Sequence, residues 1–452
     1  GEPHPAVYGL AWRNGTPWFS TRDGRICSVD DQRIARCEPL PLLALPGRAR
    51  MLLPAARGDW IGGLGELLRM IDGQPQRIEF IPGSRGGVPQ QALWTALADR
   101  DGGLWLGSSG GGLLQLPASA DRFRAWQPRF GSDGGLRDGR VRGVAQDSRG
   151  RVWIATLNAG LHRLIPATGA IDRVALPGTD QQRVWAVLAD GEAEIWVGHQ
   201  DGLLRAHVDD AGQMRPWQQW TADDLTGGLV DLLHRDREGQ VWAAAMGSGV
   251  NRIDPASGRV ERLSFAANAL EGSEVQQIGE GFDARTWVAT DHGLYARTGD
   301  GWQPLIGSAR VDAWAIAGPD ALYAMVDGQL ARYRWRSGLY RDEDWAPRSF
   351  VEMQTVGALE WRAGVLWLSG PQGLYRYFPE SERLEAFDTR DGLPTREFSD
   401  RPAHVDAQGM LWLGSEDGVV RVDLDHAPQR AEEPVPPQFG RCGIGHRADQ
   451  IR

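Results

Sequence analysis

The segment Gly107-Ser108-Ser109-Gly110-Gly111 spells G-x-S-x-G, the pattern that presents a nucleophilic serine on a strained strand-to-helix turn. Acyl transfer from such a serine also needs a base within hydrogen-bond reach. Here the motif falls in a glycine-rich turn that recurs as A-T-L-N-A-G from Ala155 and A-A-M-G-S-G from Ala244, with no serine in register. That context predicts a strand-to-strand turn and no catalysis. The nine histidines are scattered without H-E-x-x-H or a Cys/His cluster, so neither a metal site nor a cofactor is expected. Every one of the 49 basic residues is arginine, which excludes lysine Schiff-base and P-loop chemistry. Cys27 and Cys37 flank a short hairpin in which a three-residue turn sets them opposite each other. A cross-strand disulfide, suited to an oxidising compartment, and two separate core thiols both fit that spacing. Cys442 stands apart from them.

Bulk properties narrow the class further. A chain of 452 residues exceeds what one hydrophobic core needs, so several domains or a repeat architecture is expected. The 59 acidic residues give a net charge of -10 and no basic stripe, which argues against a nucleic-acid partner. No apolar run approaches the roughly 18 residues of a membrane-spanning helix. The chain starts at Gly1 without a leader-like stretch, and is expected to be a piece of a longer protein.

The elements that would position any site come from a repeat. D-R-D-G-G-L-W-L-G-S from Asp99 returns as D-S-R-G-R-V-W-I-A-T from Asp147, D-R-E-G-Q-V-W-A-A-A from Asp236 and D-A-Q-G-M-L-W-L-G-S from Asp406. The anchors Trp18, Trp60, Trp105, Trp153, Trp196, Trp242, Trp287, Trp367 and Trp412, with Tyr323 in one degenerate copy, lie 36 to 48 residues apart. An Asp six residues before the anchor (Asp99, Asp147, Asp190, Asp236, Asp406) marks a tight turn whose carboxylate accepts backbone N–H groups. Two residues after each tryptophan comes Gly, Ala or Ser, on the same sheet face, so that a neighbouring sheet can approach closely. A second turn with Gly, a third strand and often a fourth follow. Four short antiparallel strands per repeat predict the blade of a β-propeller.

The copies at 99–114, 147–163 and 406–421 resemble the two-component regulator propeller repeat, and D-G-L-P-T-R-E-F from Asp391 is similar to the phrase of that family's last repeats. The resemblance implies seven-bladed propellers outside the membrane, here the periplasm. They are followed by an Ig-like domain, through which two copies could dimerise, then a transmembrane helix and a histidine kinase or diguanylate cyclase. Counting back from the D-G-L-P phrase, Trp153, Trp196, Trp242, Trp287, Tyr323, Trp367 and Trp412 anchor seven blades, and the last lacks its outer strand. A strand over 122–127 is expected to fill that gap. Residues 121–425 then form one seven-bladed propeller, residues 1–120 are the last three blades of a preceding incomplete one carrying Trp105, and 426–452 is a Pro-rich tail. A single ten-bladed ring is the alternative, against the usual range of about four to eight blades.

Propeller loops that enter the inner strands share a face with those joining the second and third strands. The repeat register assigns Arg140, Arg142, Arg183, Trp185, Trp314 and Arg396 to the first set, and His199, Asp201, Asp291 and His292 to the second. Aromatic, guanidinium and carboxylate groups together suit a small-molecule or oligosaccharide ligand, by stacking and hydrogen bonding. The reading is thus a ligand-sensing domain without enzymatic activity. A protein-docking scaffold is one alternative. The other is an enzyme, because N-R-I-D-P-A-S-G-R-V from Asn251 and L-I-P-A-T-G-A-I from Leu164 resemble phrases of streptogramin-type lyases. Those lyases use histidine and glutamate grouped on one face, whereas His404 and His426 form no such cluster.

Overall fold

The computed structural model describes residues 6–424 except 14, 23–24, 30–34, 40–48, 56–57, 65–66, 72–73, 79–91, 100–102, 117–122, 129–134, 177–182, 210–211, 266–269, 300, 346, 348–354, 392 and 402. Cys442, His426 and the tail fall outside the described residues.

Each anchor occupies the second strand of an antiparallel meander. In the Trp153 sheet the strands Val141–Gln146, Val152–Thr156, Gly160–Ile165 and Ala170–Val174 pair in chain order. The Trp196, Trp242, Trp287, Tyr323 and Trp367 sheets repeat that order with four strands each. The Trp412 sheet differs. Its strands His404–Val405, Met410–Ser415 and Gly418–Asp423 are completed by Phe123–Trp126, which pairs antiparallel with Gly418–Asp423 through Phe123↔Val422 and Trp126↔Val419. The Trp18 and Trp60 sheets have four strands, whereas the Trp105 sheet has three among the described residues.

The turn acid does more than cap a turn. Asp147 accepts the Arg151 backbone N–H at 2.9 Å with one oxygen and the Trp153 indole N–H at 3.0 Å with the other. Asp236 and Asp406 repeat this toward Trp242 and Trp412, both at 2.8 Å. One carboxylate thereby fixes the turn and satisfies the polar tip of a buried ring. The Trp196 blade departs from the sequence expectation: Glu194 takes the indole at 2.9 Å, and Asp190 pairs instead with Arg235.

Successive sheets are joined by shared apolar clusters. Trp153 packs among Ile195 and Val197 of the Trp196 sheet, and Trp196 among Val241 and Ala243 of the Trp242 sheet. The series continues through the Trp287, Tyr323 and Trp367 sheets to the Trp412 sheet. Trp412 and Trp126 then pack with Val152 and Ile154, which returns the order to the Trp153 sheet. The small residues after the anchors set the spacing. A Cβ at Gly198 would sit 2.5 Å from the Val230 carbonyl oxygen of the next sheet, and one at Gly414 would sit 2.6 Å from that of Val141. Gly107 is different, for its Cβ would meet only Thr95 of its own sheet. The clusters of residues 6–116 lie among the Trp18, Trp60 and Trp105 sheets. Their outer faces leave Leu10 and Trp12 at one end, and Leu97 and Leu113 at the other, about two-thirds exposed. Cys27 and Cys37 are directly paired across two strands and form a disulfide.

Candidate ligand-binding face

One hydrogen bond recurs on one face of the molecule. The backbone N–H of Leu157 donates to Arg140 O, Met246 to Leu229, Asp291 to Glu274, Asp327 to Arg310 and Glu416 to Glu397. Each bond ties a loop between second and third strands to the entrance of the same sheet's inner strand, so the two loop sets do share a face.

Just inside those entrances the inner strands carry a repeated bulge. Register shifts between Val141 and Gly143, Val184 and Ala186, Val230 and Leu232, Val275 and Gln277, and Val311 and Ala313 leave Arg142, Trp185, Asp231, Gln276 and Asp312 as the extra residues. A bulge re-aims one side chain without ending the strand. Inner strands surround the central channel of a propeller, so these residues gather at its mouth.

Their contacts form a charged network. Arg142 lies 3.5 Å from Asp400 and 3.2 Å from Glu416. Arg401 reaches from the Trp412 sheet to Asp231 of the Trp242 sheet at 2.9 Å, and to Val275 O of the Trp287 sheet at 3.4 Å. In cyclic order those two sheets stand opposite the Trp412 sheet, so the guanidinium crosses the channel. Burial pushes the Asp231 carboxyl up to about 6, with Arg401 pulling it down and Glu274 and Asp400 adding to the rise. Burial also raises Asp312, against the pull of Arg310, whose Nε donates to it at 2.6 Å. Gln276 donates to Glu274 at 3.2 Å. The indole N–H of half-buried Trp185 has no partner among the described residues.

The sequence candidates divide into three groups. Arg142 and Trp185 stand at bulge positions, and Arg140, Arg183, Asp201 and His292 are exposed on the rim. Arg396 is 60% exposed at its side chain and pairs with Asp388. Asp291 is on the rim as a turn cap: it accepts Ser273 N–H and O–H, both at 2.7 Å, and Glu274 N–H at 3.1 Å. Those bonds, with a contribution from His292, lower its carboxyl to about 2 despite the opposing effect of burial.

Two candidates are corrected. Trp314 is buried against Trp287, ring centroids 5.4 Å apart, because it lies two positions beyond the bulge at Asp312 and faces the adjacent sheet. His199 is fully buried, and its Nδ1 accepts the Asp201 backbone N–H at 3.1 Å. It shapes the loop from inside and offers nothing to the surface.

Asp231, Gln276, Asp312 and Arg401 were missed by sequence reasoning. A signal exists: Val141, Val184, Val230, Val275 and Val311 each stand twelve residues before their anchor, immediately ahead of the bulged residue. Arg401 carries no such mark, since its reach across the channel depends on cyclic closure. Among the described residues no three His, Cys, Asp or Glu side chains are grouped to hold a metal. Ser108 and Ser109 lie at the end of strand Leu104–Ser108 and in the turn to strand Gly112–Leu116, and Ser108 donates to Gly112 O at 3.0 Å. The helix of a nucleophile elbow is replaced there by a strand. His404 accepts the Gln146 backbone N–H at 3.2 Å.

Comparison with known proteins agrees with the architecture. The extracellular domain of the putative hybrid two component system BT3049 from B. thetaiotaomicron superposes with a TM-score of 0.66 at 18% identity, over 93% of this chain and 57% of that one. The corresponding domain of BT4673 gives 0.51 at 16% identity, over 95% and 66%. This chain thus spans under two-thirds of either. A catalytically inactive virginiamycin B lyase from Staphylococcus aureus with Quinupristin gives 0.51 at 15% identity, over 67% of this chain and 99% of that one. No curated protein matches the sequence. The family model for the two component regulator propeller matches residues 135–158, the entrance and first hairpin of the Trp153 sheet. The chain is a β-propeller protein that carries the two-component regulator propeller repeat.

Proposed function

We propose that this chain is the extracytoplasmic, ligand-sensing propeller region of a bacterial signal-transduction receptor, and that it binds a saccharide-like ligand without turning it over. One observation carries the reading. A bulge at the same place in successive inner strands sets a half-buried cation and indole, Arg142 and Trp185, at one channel mouth beside the buried Asp231, Gln276 and Asp312. Constant framework with varied side chains at one rim is how a scaffold acquires specificity at little cost in stability. Trp185 supplies a ring for stacking and Arg142 orients hydroxyl groups, while the buried Asp231 and Gln276 hold Arg401 and Glu274 in place behind them. Arg140, Arg183, Asp201, His292 and Arg396 extend the same face. The family match and the extracellular domains that share the fold support the sensor reading. The Cys27–Cys37 disulfide supports an oxidising compartment, here the periplasm.

Residues 121–425 are assigned to one seven-bladed propeller, residues 1–120 to the last three blades of a preceding one, and 426–452 to a linker. The cyclic order of clusters supports the first assignment over a ten-bladed ring. The open faces at Leu10 and Trp12 and at Leu97 and Leu113 support the second. Reading the gene past the codon for residue 452 tests the receptor: an Ig-like domain able to dimerise, a membrane helix and a kinase or cyclase are expected. A stop codon there would instead favour a free-standing propeller.

A further inference from the structure

Third-strand arginines stand directly opposite the anchors, as in Trp153↔Arg163, Trp196↔Arg205, Trp242↔Arg252, Tyr323↔Arg332, Trp367↔Arg376 and Trp412↔Arg421. All but one of these has a carboxylate partner. Arg163 pairs with Asp172 at 3.1 Å, Arg205 with Glu194 at 2.7 Å and Arg252 with Glu238 at 2.7 Å. Arg332 pairs with Asp342 at 2.7 Å and Arg376 with Glu385 at 2.5 Å. In two of these blades the acid, Asp172 or Glu385, is the fourth-strand residue opposite the arginine.

The Trp412 blade takes its fourth strand from elsewhere in the chain, and the residue opposite Arg421 is Arg124. Arg124 is itself committed, over Trp126 at 4.9 Å and to Pro166 O at 3.2 Å. Arg421 is half-buried 5.9 Å over the Trp412 ring, and among the described residues no carboxylate pairs with it. A half-buried guanidinium that rests on an aromatic face without an anion keeps its N–H donors available for one.

Arg421 opens onto a cavity of about 350 Å³ between the Trp412 and Trp153 blades, on the face of the Asp turns, away from the channel mouth described above. Trp412, Met410 and Pro166 give it apolar walls, and Gln146 and Gln408 add amides. The other charges in the lining are already used. Arg151 is held by Asp147 at 2.6 Å, and Arg149 by Glu192 at 3.2 Å. Asp406 accepts Met410 N–H at 2.9 Å and the Trp412 indole at 2.8 Å. One uncommitted cation beside apolar walls and amides selects a monoanion attached to a small ring.

We propose that this seam cavity is a second binding site, for a small organic carboxylate of the sugar-acid class, whose carboxylate completes the ion pair that Arg421 lacks. The site is independent of the channel mouth. Calorimetric titration of the full chain with glucuronate, glucose and inorganic sulfate tests it. Saturable glucuronate binding is expected, with glucose and sulfate each at least about tenfold weaker, and Arg421→Gln should lower glucuronate affinity roughly tenfold or more. Arg124→Glu would supply the acid that other blades carry. It should abolish glucuronate binding while the melting curve stays cooperative, so the proposal remains testable if Arg421→Gln fails to fold. Unchanged binding in Arg421→Gln or in Arg124→Glu would overturn the proposal. So would glucose or sulfate binding as tightly as glucuronate, or glucuronate binding that Trp185→Ala removes.

Discussion

Trp153, Trp242 and Trp412 are each held from three directions: by the turn acid at the indole N–H, by a guanidinium over the ring face, and by the apolar residues of the next sheet. Arg205 lies 4.9 Å over Trp196 and Arg376 5.4 Å over Trp367, contacts worth about 0.5–2 kcal/mol each depending on desolvation. The tight side is the small residue two positions on. Gly198→Leu and Gly414→Leu should each cost about 1–3 kcal/mol or more in thermal or denaturant unfolding, since their Cβ atoms would press on the backbone of the neighbouring sheet. Gly107→Leu should cost distinctly less, because among the described residues only the Thr95 side chain of its own sheet meets it. Equal losses at all three would mean that the open face of the Trp105 sheet is covered. His162 gives a second residue-level test. It is fully buried, neither ring nitrogen has a partner among the described residues, and burial, helped by Arg173 and Arg137, lowers its pKa to about 4. The unfolded chain therefore takes up this proton first as pH falls, and the contribution to stability is lost between about pH 6.5 and 4. Asp231, raised to about 6, acts with the opposite sign in the same range, so the wild-type slope is a sum. Asn251 fills the equivalent position in the Trp242 blade. His162→Asn should accordingly flatten the acid loss of stability relative to wild type; identical pH slopes would contradict a neutral buried imidazole.

At the scale of elements, strand content was legible because tryptophan, small residue and glycine recur at fixed offsets, and each offset has a steric reason. The bulges were not legible in the same way. A bulge adds one residue without altering composition, so simple strand alternation puts Trp314, nine residues before its anchor, on the same face as Trp185, eleven before its own, although the equivalent of Trp185 in the Tyr323 sheet is Asp312. His199 was misread for a related reason: it is the last residue of strand Glu194–His199, not of the loop beyond it, and its ring lies inward, where it accepts the Asp201 backbone N–H. The strand expected over 122–127 was traceable from the missing outer strand of the last blade, and runs Phe123–Trp126. Ala125 pairs with Val420 at its centre. Ala125→Asp sets a charge against the apolar cluster that contains Phe123 and Phe387, and should lower stability by about 1–3 kcal/mol. Proteolysis should then cut first near this strand; an unchanged melting curve would mean that the pairing contributes nothing to closure.

For the whole molecule, sequence repetition identified the architecture, whereas the charged network across the channel required closure to exist. Arg401 and Asp231 are separated by most of the propeller and meet only when its two ends join. The channel-mouth network also includes Asp400, Glu416, Glu274 and Asp312, so acidic groups outnumber Arg142, Arg401 and Arg310 there. That balance favours a ligand rich in hydroxyl groups over a polyanion at the mouth. The exposed Leu10, Trp12, Leu97 and Leu113 form apolar faces of a kind that soluble proteins cover. Replacing all four by serine should reduce self-association in sedimentation analysis; unaltered behaviour would argue that these faces are not where preceding blades pack. The central claim, recognition without turnover at the channel mouth, is tested most directly by calorimetry of a glycan panel on the full chain, with each ligand recovered and analysed for cleavage or elimination. Saturable binding that Trp185→Ala weakens at least about tenfold, with every glycan recovered intact, is the predicted result. Binding that survives Trp185→Ala combined with His292→Ala, or measurable turnover lost on replacing His404, would contradict it.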